Sequence, residues 1–148
     1  MVRAEITVAA VVKRDSRYLV IEEMAHGRRV INQPAGHVED GETITEAAIR
    51  ETREESAWLF RPTGLIGLYY WPHPDGRITL RIALAGDATD HRPDQALDEG
   101  IIASHWMSRE ELAACGHLRS TLVMQSILDY ERFDVMPLDR LRHITSTS

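Results

Sequence analysis

The sequence predicts an α/β fold in which a mixed β-sheet is packed between helices. Strand-like runs alternate with helical segments along the chain instead of being grouped, the pattern of a sheet covered by helices. An apolar fraction of 43% over 148 residues supplies one sizeable core, and no repeat, low-complexity tract or linker divides the chain. Residues 1–148 therefore read as a single domain, with the stretch from 137 to 148 expected to fray.

The elements follow in order. Ile6–Val12 and Tyr18–Glu22 are β-rich runs separated by the polar turn Lys13-Arg-Asp-Ser-Arg17, which predicts a hairpin. Asn32-Gln-Pro-Ala-Gly36 and Asp40-Gly41 carry turn signals, so this segment is expected to be a loop flanking a short strand-like piece. Thr43 with Glu46 matches a capping box, and Ile44–Glu55 holds neither glycine nor proline, which predicts a helix. Gly64–Trp71 and Arg77–Ala85 form a second expected hairpin across Pro72-His-Pro-Asp-Gly76. Ile101–Met107 reads as a further strand, Ser108-Arg-Glu-Glu111 as the box opening a short helix, and Ser120–Arg132 as a final helix.

Composition narrows the function. Cys115 is the single cysteine, so no intrachain disulfide forms and a cytoplasmic setting is expected. No run approaches the roughly eighteen apolar residues of a membrane span, so no membrane partner is expected. A net charge of −6 repels polyanions, which argues against a nucleic-acid partner. A small phosphorylated substrate held through a cation fits that charge, and the chain is compatible with a monomer or a homodimer.

The chemistry is concentrated in Gly36–Trp58. At about 100° per helical residue, Glu51, Glu54 and Glu55 fall within one arc of about 100°. Like charges at that spacing destabilise a bare helix, so a cation among them is the natural reading, against the plainer one of a solvated face of salt bridges. All-oxygen ligation selects a hard ion, Mg²⁺ first and Mn²⁺ as the alternative. Arg50 lies about 40° around the helix from Glu54, placed to orient carboxylates from the side. Gly36 allows close approach to the backbone, and its carbonyl is a further candidate ligand.

The segment resembles the Nudix box: glycine, five residues, glutamate, seven residues, then Arg-Glu-apolar-any-Glu-Glu-any-Gly-apolar. Gly36, Glu42, Arg50, Glu51, Glu54 and Glu55 fall in register, while Thr52 stands at an aliphatic position and Ala57 at the closing glycine. Thr52 follows Ile44 and Ala48 at four-residue steps, so its methyl is expected to pack inward. A left-handed Ala57 costs about 1–2 kcal/mol, so a different helix ending is expected. The resemblance implies an α/β/α sandwich, metals on Glu51, Glu54 and Glu55 with the Gly36 carbonyl, and Glu42 and Arg50 bracing the helix. It also implies a carboxylate from a later loop, for which Glu99 is the first candidate and Asp98 the next. Glu51 or Glu54 would accept the proton.

Beyond the box, Ile6-Thr-Val-Ala, Asn32-Gln-Pro-Ala-Gly-His37, Leu118-Arg-Ser120 and Leu122-Val123 resemble the NudJ-type phosphatase subfamily. That resemblance implies release of inorganic phosphate from nucleoside di- and triphosphates or thiamine-pathway pyrophosphates. Gln33, His37, Tyr69, Trp71 and Arg119 are the candidate substrate contacts, each also readable as packing or as a salt-bridge partner. The competing readings are a pyrophosphohydrolase of the same family and a non-catalytic nucleotide sensor; sensors of that kind usually lose box carboxylates that this chain keeps.

Overall fold

The computed structural model describes residues 1–146. Its strands are β1 (Glu5–Arg14), β2 (Arg17–Ala25), β3 (Arg28–Asn32), β4 (Ala35–His37), β5 (Leu59–Pro72), β6 (Ile78–Thr89), β7 (Ile101–Ser108) and β8 (Met136–Pro137). The helices are α1 (Ile44–Ser56), α2 (Arg109–Ala114) and α3 (Thr121–Arg132). The sheet runs β3-β2-β1-β6-β5-β8, with β4 also beside β1 and β7 beside β2. It is mixed: β1 pairs parallel with β6, whereas the β1–β4, β2–β3, β2–β7 and β5–β6 pairs are antiparallel.

The expected first hairpin closes at Asp15 and Ser16, both at positive φ, as a tight two-residue turn of the kind that matches strand twist. Its pairing extends only through Lys13↔Tyr18 and Arg14↔Arg17. Beyond that point the edge of β1 is taken by β4, at Thr7↔His37, Val8↔Gly36 and Ala9↔Ala35. This splay draws the glycine loop into the sheet directly under α1.

β1 is buried on both faces, which explains its unbroken apolar run. Val8, Ala10 and Val12 pack with Leu19, Phe60, Leu84 and the α1 residues Ala47 and Ala48. Val11 faces the opposite way, with Tyr18, Val20, Ile31, Leu112 of α2 and Ile127 of α3. The period-two alternation of strand side chains thus divides the core into two layers, one under each helical face.

Both capping boxes form, Thr43 with Glu46 and Ser108 with Glu111, and Ser120 caps α3. Thr52 is fully buried, and its hydroxyl donates to the Ala48 carbonyl at 2.7 Å, so the departure from an aliphatic residue leaves no polar group unsatisfied. The helix ending differs from expectation: Ala57 adopts the left-handed conformation at φ 64°, and its N–H donates to the Arg53 carbonyl. Contacts to the Ala57 carbonyl from Arg53 Nη1 at 2.8 Å and from the Arg92 N–H at 3.0 Å hold it there against the Cβ penalty.

Three further differences are physical. β3 was not anticipated, because its outer residues are Arg28 and Arg29 and its strand character comes from pairing with β2. β5 begins at Leu59, before Pro62, because a register shift between Pro62 and Gly64 accommodates the proline. Within the stretch expected to fray, Pro137 pairs with Gly64, and Leu138 and Leu141 pack on the α1-side core. The last two residues of that stretch lie outside the described ones. No described helix is long and apolar enough to cross a membrane.

Candidate active site

Arg50 is the hub of the box. Its Nε and Nη2 grip both oxygens of Glu42 at 2.7 and 3.0 Å, Nη2 also donates to the His37 carbonyl at 3.0 Å, and Nη1 donates to Glu51 at 2.9 Å and Glu54 at 3.2 Å. The planar fork fixes the rotamers of two catalytic candidates while tying the helix to the preceding loop. Arg50 is thereby a positioning residue. The Arg50 bond holds the Glu42 carboxyl well below the usual carboxylate range.

The remaining acids run the other way. Burial pushes Glu51 up despite Arg50, and burial together with the neighbouring Asp98 carboxylate pushes Glu54 up. Glu55 is pushed up to about 9, chiefly by burial. The helical step explains the difference, since Glu54 lies about 60° to one side of Glu51 and Glu55 about 40° to the other. Glu55 consequently turns under the glycine loop, 8% exposed, and accepts the Ala35 N–H at 2.8 Å.

Ligand oxygens of Glu51, Glu54 and Asp98 all lie within 4.8 Å of one another. Sequence reasoning put Glu99 first for the loop carboxylate, and the structure brings Asp98 there instead. The Asp98 N–H donates to the Glu54 carbonyl, the Ile101 N–H returns to the Asp98 carbonyl, and Gly100 sits at φ 87°. In such a turn the first corner residue, Glu99, points to solvent while Asp98 is anchored to the end of α1. Gly100 was the readable signal. Hard oxygen donors with one shared guanidinium among them fit a divalent cation.

Gly36 is required at its position because a Cβ there would overlap the Glu51 carboxylate. On its other side opens a cavity of about 280 Å³ lined by Thr79, Arg81, Trp71, His73, Arg119 and Ser120 among others. Three of the expected substrate contacts reach it: His37, Trp71 and Arg119. Trp71 lies against His73 with ring centroids 4.2 Å apart, and Arg119 pairs with Glu23 at 3.3 Å.

Gln33 and Tyr69 do not line this cavity. Gln33 is buried, donating to the Val123 carbonyl at 2.8 Å and Ser126 Oγ at 3.0 Å and accepting from Arg81 at 2.8 Å. The Tyr69 hydroxyl donates to Asp129 at 2.7 Å, and burial raises its pKa. Both are structural ties to α3. Arg81 itself was missed, although a lone arginine inside Leu80-Arg-Ile-Ala-Leu84 is the kind of buried charge that signals a role. Burial pulls its guanidinium down to about 10.

Comparisons with known proteins agree with this architecture. The model of the NUDIX domain family matches residues 3–126. Phosphatase NudJ of Escherichia coli K12 is 38% identical over 141 residues, which is 95% of this chain and 92% of that protein. A NUDIX hydrolase from Nitrosomonas europaea is 40% identical, with a TM-score of 0.92 over 96% of this chain and 98% of that one. The E. coli ORF135 protein shares the fold at 23% identity, with a TM-score of 0.68 over 88% of this chain and 94% of that one. With the box carboxylates gathered around Arg50 and the relationship spanning nearly the full length, this chain belongs to the Nudix hydrolases and is a homologue of phosphatase NudJ.

Proposed function

We propose that the protein is a Mg²⁺-dependent phosphatase that releases inorganic phosphate from nucleoside di- or triphosphates or from thiamine-pathway pyrophosphates. The observation that carries the reading is the convergence of Glu51, Glu54 and Asp98 oxygens within 4.8 Å, next to a cavity of a size suited to a small organic phosphate. Glu51, Glu54 and Asp98 would hold the cation, with Glu55 and the Gly36 carbonyl as the further donors that the box resemblance implies. When bound, the cation supplies charge neutralisation and acidifies water.

The chain's own residues do the rest. Arg50 keeps Glu51 and Glu54 turned toward the reacting phosphoryl group, which limits the reorganisation needed at the transition state. A carboxylate accepts the proton of the attacking water. Glu54 is the more open of the two, its side chain 38% exposed against 13% for Glu51, so water reaches it more readily, and it is the base in this reading; burial raises the pKa of both. Release of phosphate, as opposed to pyrophosphate, is proposed from the full-length likeness to phosphatase NudJ. The single cysteine supports a cytoplasmic setting.

The test incubates purified protein with Mg²⁺ and ATP, ADP, thiamine pyrophosphate or hydroxymethylpyrimidine pyrophosphate, measuring phosphate and pyrophosphate separately. Phosphate is expected, with Glu54→Gln lowering turnover by about 10²-fold or more. Pyrophosphate as the product would replace the phosphatase reading with the pyrophosphohydrolase one. Metal-dependent binding without turnover would make the protein a sensor.

A further inference from the structure

Arg81 is 7% exposed, and its guanidinium faces neutral partners: Nη2 donates to Gln33 Oε1 at 2.8 Å and to Asn32 Oδ1 at 3.4 Å. Its Nε has no hydrogen-bond partner, and among the described residues no carboxylate lies within ion-pair distance of it. A buried cation so placed is unfavourable until an anion arrives.

The surroundings hold that cation ready. Both donated bonds of the Gln33 amide are committed to α3, at Val123 O and Ser126 Oγ, so its oxygen is turned toward Arg81 and fixes the guanidinium. Arg119 and Ser120, the cap of the twelve-residue helix α3, line the same cavity, adding a second guanidinium and the positive end of a helix. The acids on the wall are already engaged, Glu23 by Arg119 and Glu5 by His37 and Arg77. Among the described residues Arg81 makes no ion pair, and Glu55 and Glu23 act on it only from beyond that distance.

We propose that the cavity behind Gly36 seats a phosphoryl group of the substrate other than the one held at Glu51, Glu54 and Asp98, with Arg81 as its buried anchor and Arg119 and the α3 N-terminus as outer donors. This rests on the hydrolase reading for the identity of the ligand. The seat itself is formed by residues outside the carboxylate cluster, so it operates without a cation.

The test is a calorimetric titration of chelator-treated protein with inorganic phosphate. Saturable binding is expected in the unsubstituted protein and in Glu54→Gln, weakened at least about tenfold in Arg81→Gln and several-fold in Arg119→Gln. The Arg119 side chain is 40% exposed, so its variant decides the matter should Arg81→Gln fail to melt cooperatively. Absence of binding in the unsubstituted protein, equal binding in both arginine variants, or loss of binding in Glu54→Gln overturns the proposal. Because no turnover is measured, arginine-dependent phosphate binding in a protein that hydrolyses nothing would remove the phosphatase reading and leave the seat standing. Hydrolysis without such binding would do the reverse.

Discussion

Gly36 separates two regions of opposite electrostatic character. On the helix side, Glu51, Glu54 and Asp98 crowd together, and Glu51 and Glu54 share a guanidinium already bound to Glu42. On the strand side, Arg81 is buried against amide oxygens with no carboxylate within ion-pair distance among the described residues. Each region carries charge in excess of what its neighbours neutralise, and the signs complement those of a cation and a phosphate. The difference teaches that the excess is local: elsewhere, as at Arg61 with Asp87 at 2.8 Å or Arg109 with Glu131 at 2.7 Å, charges are paired in the ordinary way.

The largest expected effect that would sharpen this contrast comes from the loop carboxylate. Asp98→Asn should weaken Mg²⁺ binding by about tenfold or more, whereas Glu99→Gln should stay within about twofold, as read by Mg²⁺ titration of turnover. Equal losses in the two variants would break the assignment of Asp98 to the cluster. Phosphate binding by the chelated protein should be unaffected by either, since both residues sit on the helix side.

Glu55 lies on the seam, and its effect should be next in size. Its pKa is about 9 in the folded protein against 4.5 for the ordinary carboxyl, so its contribution to stability is complete below about pH 4.5 and is lost as pH rises toward 9. Glu55→Gln keeps an acceptor for the Ala35 N–H and removes that loss. In chelated protein it should raise stability at pH 8 by about 1–3 kcal/mol, with little change at pH 4. Denaturant melts at the two pH values give the comparison, and parallel pH profiles would show that Glu55 is not held protonated.

The smallest effect is at the C-cap of α1. Ala57→Gly should relieve the left-handed strain and raise the denaturant midpoint, corresponding to about 1 kcal/mol. Turnover and phosphate binding should be unchanged. A lower midpoint would mean that the buried Ala57 methyl contributes more than its backbone conformation costs.

The box residues were readable because their spacing on one helix determines their mutual placement before any tertiary contact forms. Glu42, Arg50, Glu51 and Glu54 are brought together by a capped helix and the loop before it, and the cap at Thr43 is itself a local signal. The strand–helix order was legible for a similar reason, since alternation and turn chemistry act over a few residues. Asp98 and Glu99 are adjacent in sequence, so choosing between them required the turn at Gly100 and the bond from Asp98 to the end of α1. Gln33 carried a polar side chain ahead of the box, and its conversion from an expected substrate contact to a brace for Arg81 depends on α3, whose bonding residues lie 90 and 93 positions away. Arg81 acquires its meaning from that same long-range packing: on β6 it lies between Thr7 of β1 and Tyr69 of β5, Gln33 orients it, and Arg119 and Ser120 at the start of α3 line the same cavity. Short-range geometry places charges along a helix, whereas whether a charge is solvated, paired or left waiting for a ligand is set by which distant elements exclude water around it.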